Sequence, residues 1–342
     1  MKVYKINKIS DLDKFEIKWK ALEAGEDMTF FQTFDWNKQL YKQWHKSFYN
    51  RLFSDIIIVE SSNVIVPCIR QNLSFSIKWL GRKRGIYLLG TGSYSDYLNF
   101  VYSDGECIDT FLTEFVDLFG NFKLFFPFVI EHTALDNALN MRASKKTSVS
   151  VAVDVTCPIE KFEKRLSKKT RQNIRTAKNR MHRDGIDFKL RVLNGKLDCE
   201  LANQLCECHL HRALSKNNNN SSVKKRVSSF ILKGKIVHDE KKCNIIKDAM
   251  CELNNSLTVI VELNGKLAGY LYGFQDGRVI RIVQNCFDEA YSFYSPMFVG
   301  AYDYLIQCLE NDKIDAVDFT RGNEDYKYKL GGNETILNSY IK

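Results

Sequence analysis

The sequence predicts an α/β (α+β) chain of two tandem domains, each a mixed, mainly antiparallel sheet flanked by helices. Three observations lead there. The chain has 342 residues, 44% of them hydrophobic and 13% aromatic, enough for two cores. Asn264-Gly265 and Asp276-Gly277 each separate β-rich runs. Such pairs are the strongest short hairpin signals, because both central residues of a type I′ turn need positive φ. Finally, the order strand, strand, strand, helix, strand occurs twice, as a pattern rather than as repeated residues.

In the first half, residues 55–60 and 64–70 read as a strand pair around a Ser-Ser-Asn turn, and 85–89 and 97–102 add strands. Ile108, Phe111, Leu112, Phe115, Val116 and Phe119 recur at helical spacing over 107–119, and 123–130 is a strand. The boundary falls near 144–150, which gives domains of 1–148 and 149–342. The second opens with basic helices over 158–184. The first turns Ile159, Phe162 and Leu166 inward. The other starts at Ser167 as a cap, carries the stripe Ile174, Ala177, Met181, and stops at Gly185. Residues 196–255 hold helical segments without the heptads of a long coiled pair. The run Asn217 to Asn220, continuing into Ser221-Ser222, reads as a loop. Strands at 258–263, 267–275 and 278–284 then form a meander. A helix follows, with Ser295 as N-cap, Pro296 in its first turn, and Met297, Phe298, Ala301, Tyr302, Leu305, Ile306 and Leu309 in helical register. Strands at 316–320 and 335–341 close the chain.

The net charge of +9 points to an anionic partner: nucleic acid, a membrane face or a phosphorylated small molecule. Charge alone does not choose among them. The charged N-terminus lacks the apolar core of a signal peptide, and the most apolar run, 124–130, is too short to span a bilayer and contains Pro127. Ten scattered cysteines fit reduced core thiols, so the expected location is cytoplasmic. Cys206, Cys208, His209 and His211 resemble a metal cluster, but on a helix Cys206/His209 and Cys208/His211 face different directions. No metal is expected.

Several residues can carry chemistry. The junction from Asp288 to Ser295 leads into a helix N-terminus, whose unpaired N–H groups suit phosphate; an ordinary α/β junction is the plainer account. Arg171, Arg175, Lys178 and Arg183 can line an anionic cleft or form a solvated helix face. No aromatic residues interleave with them, so a stacking platform for single strands is unsupported. Gly269 and Gly273 share one strand face, which marks either a ligand or a close backbone crossing. The segment Asp318-Phe-Thr-Arg-Gly-Asn-Glu-Asp-Tyr-Lys-Tyr-Lys-Leu-Gly-Gly332 offers Lys327 for a developing oxyanion or phosphate and Glu324 or Asp325 as a base; a charged surface turn is the alternative.

These pieces resemble one family. Leu166-Ser-Lys-Lys-Thr-Arg-Gln-Asn-Ile-Arg-Thr-Ala-Lys-Asn-Arg-Met181 is similar to the basic helix of GNAT-type acetyltransferases of the polysaccharide/cellulose-biosynthesis group, relatives of the Fem aminoacyl transferases. The closing segment with Arg321-Gly322 and Tyr326-Lys327 resembles their final motif and is the most specific match. Phe34-Asp-Trp36 after Phe31-Gln32, Ser93-Tyr-Ser-Asp96-Tyr97, and His209 with Arg212 resemble further motifs, in order along most of the chain. The resemblance implies two GNAT-like domains. The second would bind acetyl-CoA or another acyl-CoA as co-substrate, with Ser295, Pro296, Met297 and Phe298 against the pyrophosphate. Lys327 would neutralise charge at the reacting centre. The acceptor would meet Arg321, Tyr326, Asp96, Tyr97, Arg171, Arg175, His209 and Arg212 in a cleft between the domains. One departure stands out: the glycine-rich phosphate loop reads Tyr-Ser-Phe-Tyr-Ser-Pro-Met-Phe here, with Met297 where glycine is usual.

The expected activity is transfer of an acetyl or other acyl group from acyl-CoA to an amine or hydroxyl of a sugar or polysaccharide precursor. The expected partner is thus a small-molecule or saccharide acceptor, with no DNA and no membrane span. A Fem-like aminoacyl-tRNA-dependent transferase ranks second, because the long helical hairpin of such relatives is not evident in 196–255. A catalytically degenerate binding module is the third reading.

Overall fold

The computed structural model describes the backbone of residues 1–72, 84–92, 95–140, 142–218 and 227–342, and their side chains other than those of 49, 106, 214–218 and 227–239. Two compact units emerge: Met1–Val149 with Thr335–Lys342, and Ser150–Glu334.

In the first unit, strands β1 (Lys2–Ile6), β2 (Ser54–Glu60), β3 (Val64–Gln71), β4 (Gly85–Leu88), β6 (Lys123–Ile130) and β13 (Asn333–Ile341) lie side by side in that order, and β5 (Val101–Tyr102) pairs with β3. Among the described residues of this unit, only β4 and β6 run parallel. The strand expected over 97–102 shrinks to β5, because Tyr97 sits at φ +55° and breaks the extended run. Helix α5 (Ile108–Leu118) lays Phe111 and Phe115 on Phe100, with ring centroids 5.6 and 5.7 Å apart. Each such buried ring is worth about 1.5–3 kcal/mol. Strand β1 escaped the sequence reading because only Ile6 in it is buried, so it shows no alternation. The helices α1 (Ile9–Asp13), α2 (Glu16–Leu22), α3 (Phe34–Lys46), α4 (Phe48–Phe53) and α6 (Ala134–Asn140) complete the unit.

The second unit orders its strands β7 (Ser144–Asp154), β12 (Ala316–Arg321), β11 (Val279–Phe287), β10 (Lys266–Asp276), β9 (Ser256–Leu263) and β8 (Phe188–Asn194). The meander β9–β10–β11 is antiparallel, as its turns predict. Asn264 and Gly265 take φ +52° and +71°, both positive as type I′ requires. The second turn differs. Asp276 pairs with Val279, so the two central residues are Gly277 and Arg278, and of these only Gly277 is at positive φ, +59°. That is the type II′ pattern, with glycine first. The half-exposed edge strand β8 was not legible in the sequence.

Helix α7 (Ile159–Arg165) buries Phe162. Helix α8 (Lys168–Arg183) is capped by Ser167, whose Oγ accepts from the Thr170 N–H at 3.0 Å, and it buries Thr170, Ile174, Ala177 and Met181. Helices α9 (Cys199–Asn218) and α10 (Val227–Glu252) correct the reading of 196–255: they form a long antiparallel pair. Its buried layer is Ala202, Leu205 and Cys206 against Cys243, Ile246, Ala249 and Met250. Small residues and cysteines carry no heptad signature, which hid the pair. Asn217 and Asn218 end α9 rather than start a loop, and positions 219–222 lie outside the described residues.

Helix α11 (Pro296–Leu309) starts where expected, yet Ser295 does not cap it. Ser295 is left-handed (φ +48°, ψ +50°) and its hydroxyl makes no capping bond. The preceding junction is a 3₁₀ turn, Glu289–Tyr294, capped by Asp288. The short helix α12 (Asp325–Lys329) follows β12.

Candidate active site

The site begins with a divergence of two parallel strands. β11 and β12 pair only from Val279/Ala316 to Arg281/Asp318. There Arg281 bonds the Asp318 carboxylate at 2.7 Å and Asp276 at 2.6 Å, both largely shielded from water. Beyond this clamp β11 continues along β10, while a register shift turns β12 aside. Thr320, at φ +54°, takes a conformation that β-branched residues avoid. It is held by the Asp318 carboxylate, which accepts its N–H at 2.8 Å, and by its own Oγ1, which donates to Ile282 O at 3.0 Å.

The wedge opens into a cavity of about 500 Å³ at the carboxyl ends of the strands, where open α/β sheets place ligands. Helix α9 contributes His209, Arg212 and Ala213; the sheet contributes Leu271, Asn285 and Phe287; α11 contributes Met297, Phe298 and Ala301; Glu324 and Tyr326 close the floor. Arg212 stacks on the Phe287 ring, 3.8 Å from its centroid. Asn285 Nδ2 donates to the Tyr326 hydroxyl at 2.7 Å. Burial, with Glu324 nearby, pushes the Tyr326 phenol well above its ordinary range, so it keeps its proton.

Lys327 does not face this cavity. It is buried, and its Nζ donates to the carbonyls of Thr320 (3.0 Å), Arg321 (3.2 Å) and Gly322 (3.2 Å), with Glu324 Oε2 at 2.9 Å. Three N–H donors thus meet four acceptors within the protein. Asp325 pairs with Lys329 and turns toward a neighbouring cavity, whereas Glu324 reaches the main one.

That neighbouring cavity, about 290 Å³, shares Phe298 and Tyr326 with the first and is lined by Asn173, Thr176, Ala177, Arg180, Ser295, Asp325 and Lys329. Here the helix start was expected to hold a pyrophosphate. Its backbone is poorly equipped: Pro296 has no N–H, and the N–H groups of Phe298 and Val299 both bond Ser295 O at 3.1 Å. Any phosphate here would rest on the Met297 N–H and on side chains, above all Arg180, a residue that nothing in the helix's charge pattern sets apart from its neighbours.

Met297 has a structural explanation. A Cβ on Gly269 would lie 2.5 Å from Met297 Sδ and 2.7 Å from Cys286 O, so the missing side chain on β10 is what admits the thioether. Gly273 instead marks a bulge, where a Cβ would meet Arg281 O at 2.1 Å.

Of the other expected residues, Arg171 and Arg175 lie on the far side of α8, in a separate groove of about 590 Å³ with Lys168, Lys178 and Tyr302. Arg321 is exposed at the end of β12. Asp96 and Tyr97 are buried in the first unit, where Gln32 Nε2 donates to Tyr97 O at 2.6 Å and Trp36 Nε1 to Ser95 Oγ at 2.7 Å. The two aromatic motifs of that unit therefore pack on each other. Ser93 and Tyr94 lie outside the described residues. On α9, Cys206 turns to α10, Cys208 to β11 and His209 to the cavity, three different directions.

The residues that build this cleft, α8 through α12, coincide with a known sequence family. Residues 168–328 match the acetyltransferase (GNAT) domain. The GNAT match holds every wall of the cleft. Among curated proteins none matches the chain. Solved structures share the fold at low identity. A conserved protein of unknown function from Bacteroides thetaiotaomicron VPI-5482 is 11% identical, with 100% of each chain covered and a TM-score of 0.58. FemX is 10% identical, covering 99% of this chain and 97% of its own, with a TM-score of 0.55. The C-terminal domain (DUF2156) of a putative lysylphosphatidylglycerol synthetase from Agrobacterium fabrum is 10% identical over 98% and 92%, with a TM-score of 0.54. The α/β class expected from the sequence, mixed, mainly antiparallel sheets flanked by helices, is the class observed. Among the described residues no helix is long and apolar enough to cross a membrane.

Proposed function

We propose that this protein is an acyltransferase that moves an acetyl or other acyl group from an acyl-CoA to an amine or hydroxyl of a saccharide acceptor. The observation that carries the reading is the cleft at the β11/β12 divergence, with the protonated Tyr326 on its floor and the Glu324 carboxylate beside it. Direct acyl transfer needs a group to take the nucleophile's proton and another to supply one to the leaving atom. In this reading Glu324 takes the first role and Tyr326 the second. Asn285 orients the Tyr326 hydroxyl, and Arg212, fixed on Phe287, offers a cation to an anionic part of the acceptor. Bound acyl-CoA would supply the thioester carbon that is attacked, its phosphates resting on Arg180, Lys329 and the Met297 N–H. Lys327 acts on the geometry of the site by holding the 320–322 turn. A thiol-release assay with acetyl-CoA and a panel of amino sugars, paired with calorimetry using CoA alone, tests this. Absence of any CoA binding ends the reading.

One observation favours a second reading. The long α9–α10 pair, together with a helix start that offers so few backbone N–H groups, suits a Fem-like transferase fed by aminoacyl-tRNA. The basic outer face of α8 would then meet RNA phosphates, and binding would weaken steeply with salt. Saturable, salt-sensitive tRNA binding without CoA binding would select it. A site that binds either donor but turns over no acceptor would mark a degenerate module.

A further inference from the structure

Helix α9 carries three cysteines that each meet a second cysteine. Cys199 Sγ lies 3.0 Å from Cys251 Sγ; Cys206 contacts Cys243 one layer deeper; Cys208 Sγ lies 3.7 Å from Cys286 Sγ on β11. Cys199 and Cys206 are seven residues apart, about 10.5 Å of helix, so the first two pairs are separate layers rather than one four-sulfur centre. The outermost pair differs from the others. Cys199 is exposed and Cys251 only half-buried, whereas Cys206, Cys243 and Cys286 are buried. Its position is also fixed by the backbone: Leu197 N donates to Met250 O at 2.8 Å, which pins the start of α9 to the end of α10.

We propose that Cys199 and Cys251 form a reversible thiol–disulfide modification site that ties the base of the α9–α10 pair, with hydrogen peroxide as oxidant. The Cys199 thiolate attacks a peroxide oxygen, the O–O bond breaks, and water leaves with the available proton, giving a sulfenic acid. The Cys251 sulfur then attacks the Cys199 sulfur; the S–S bond forms, the S–O bond breaks, and a second water leaves. Two thiols lose two electrons and two protons, and one hydrogen peroxide becomes two waters. The division of roles follows exposure. Burial, then the hydrogen bond with Cys199, pushes the Cys251 thiol up to about 12, so the exposed sulfur attacks first. The inference does not depend on the acyltransferase reading.

The test is oxidation of the full-length protein by hydrogen peroxide, followed by alkylation and mass spectrometry. The expected result is a fall from ten alkylated cysteines to eight, a cross-linked peptide joining 199 to 251, and full reversal by dithiothreitol. Cys199→Ser and Cys251→Ser, both near the surface, should each abolish the cross-link. Ten thiols still free under conditions that oxidise a small dithiol overturns the proposal, as does a first cross-link joining 206 to 243 or 208 to 286.

Discussion

Lys327 donates from Nζ to the carbonyl oxygen of Thr320 at 3.0 Å, and Thr320 is a β-branched residue held at φ +54°. A conformation of that kind costs about 1–3 kcal/mol and persists where the surroundings over-determine it. Asp318, Ile282 O and Lys327 supply that determination from three sides. The strained turn is what ends the strand pairing and aims Glu324 and Tyr326 at the cleft.

Removing the Lys327 amine should therefore be felt first in stability. Lys327→Met leaves three carbonyls without their donor, at a cost of about 2–4 kcal/mol. Urea unfolding reads this as a lower midpoint, with turnover falling alongside. An unchanged midpoint with lost turnover would instead put Lys327 in contact with the reacting centre.

Gly269 and Met297 should behave as a pair. Gly269→Ala drives a methyl into Met297 Sδ and Cys286 O, and overpacking of this kind costs about 1–3 kcal/mol. Adding Met297→Ala relieves the sulfur contact but not the backbone one, so a double-mutant cycle should show partial rescue. Strict additivity would mean the two side chains do not compete for that space.

Tyr326→Phe keeps the ring and loses the proton. The expected rate loss is about 10²–10⁴-fold, with stability changed by roughly 1 kcal/mol through the lost Asn285 bond. Because burial raises the wild-type phenol, the alkaline limb of the rate profile should lie above the ordinary tyrosine value of about 10. A limb that survives in Tyr326→Phe would belong to another group.

Buried tyrosines also set the alkaline limit of the fold. Burial raises Tyr272, Tyr304 and Tyr326. The folded state then holds protons that the unfolded chain releases near pH ~10. Their contribution is fully present below that pH and is lost as pH rises through and beyond it. Urea midpoints should fall more steeply once pH passes about 10, and less steeply so in Tyr326→Phe.

The two faces of α8 should separate in binding. Arg180→Met, at the cavity that joins the cleft, should weaken CoA binding roughly 10- to 100-fold, as for a lost charge-assisted bond. Arg175→Met, in the outer groove, should leave it unchanged. The reverse pattern would place the phosphates on the outer face.

The sequence alone determined the local elements whose signals are periodic or steric. The β9–β10–β11 meander follows from its turn residues, α8 from its cap and apolar stripe, and α11 from Pro296 and its apolar spacing. The resemblance of 166–181 and 318–332 also brackets the segment 168–328 that matches the acetyltransferase (GNAT) domain. Tertiary structure decided the rest, because partners distant in sequence set it. It occupied Lys327 with backbone carbonyls, sent Arg171 and Arg175 to the far face of their helix, and brought Asn285 to Tyr326 across 41 residues. It also paired α9 with α10 through small residues and thiols that leave no apolar period to read. Which face a charged side chain presents, and what meets it there, is a property of packing, and no window along the chain contains it.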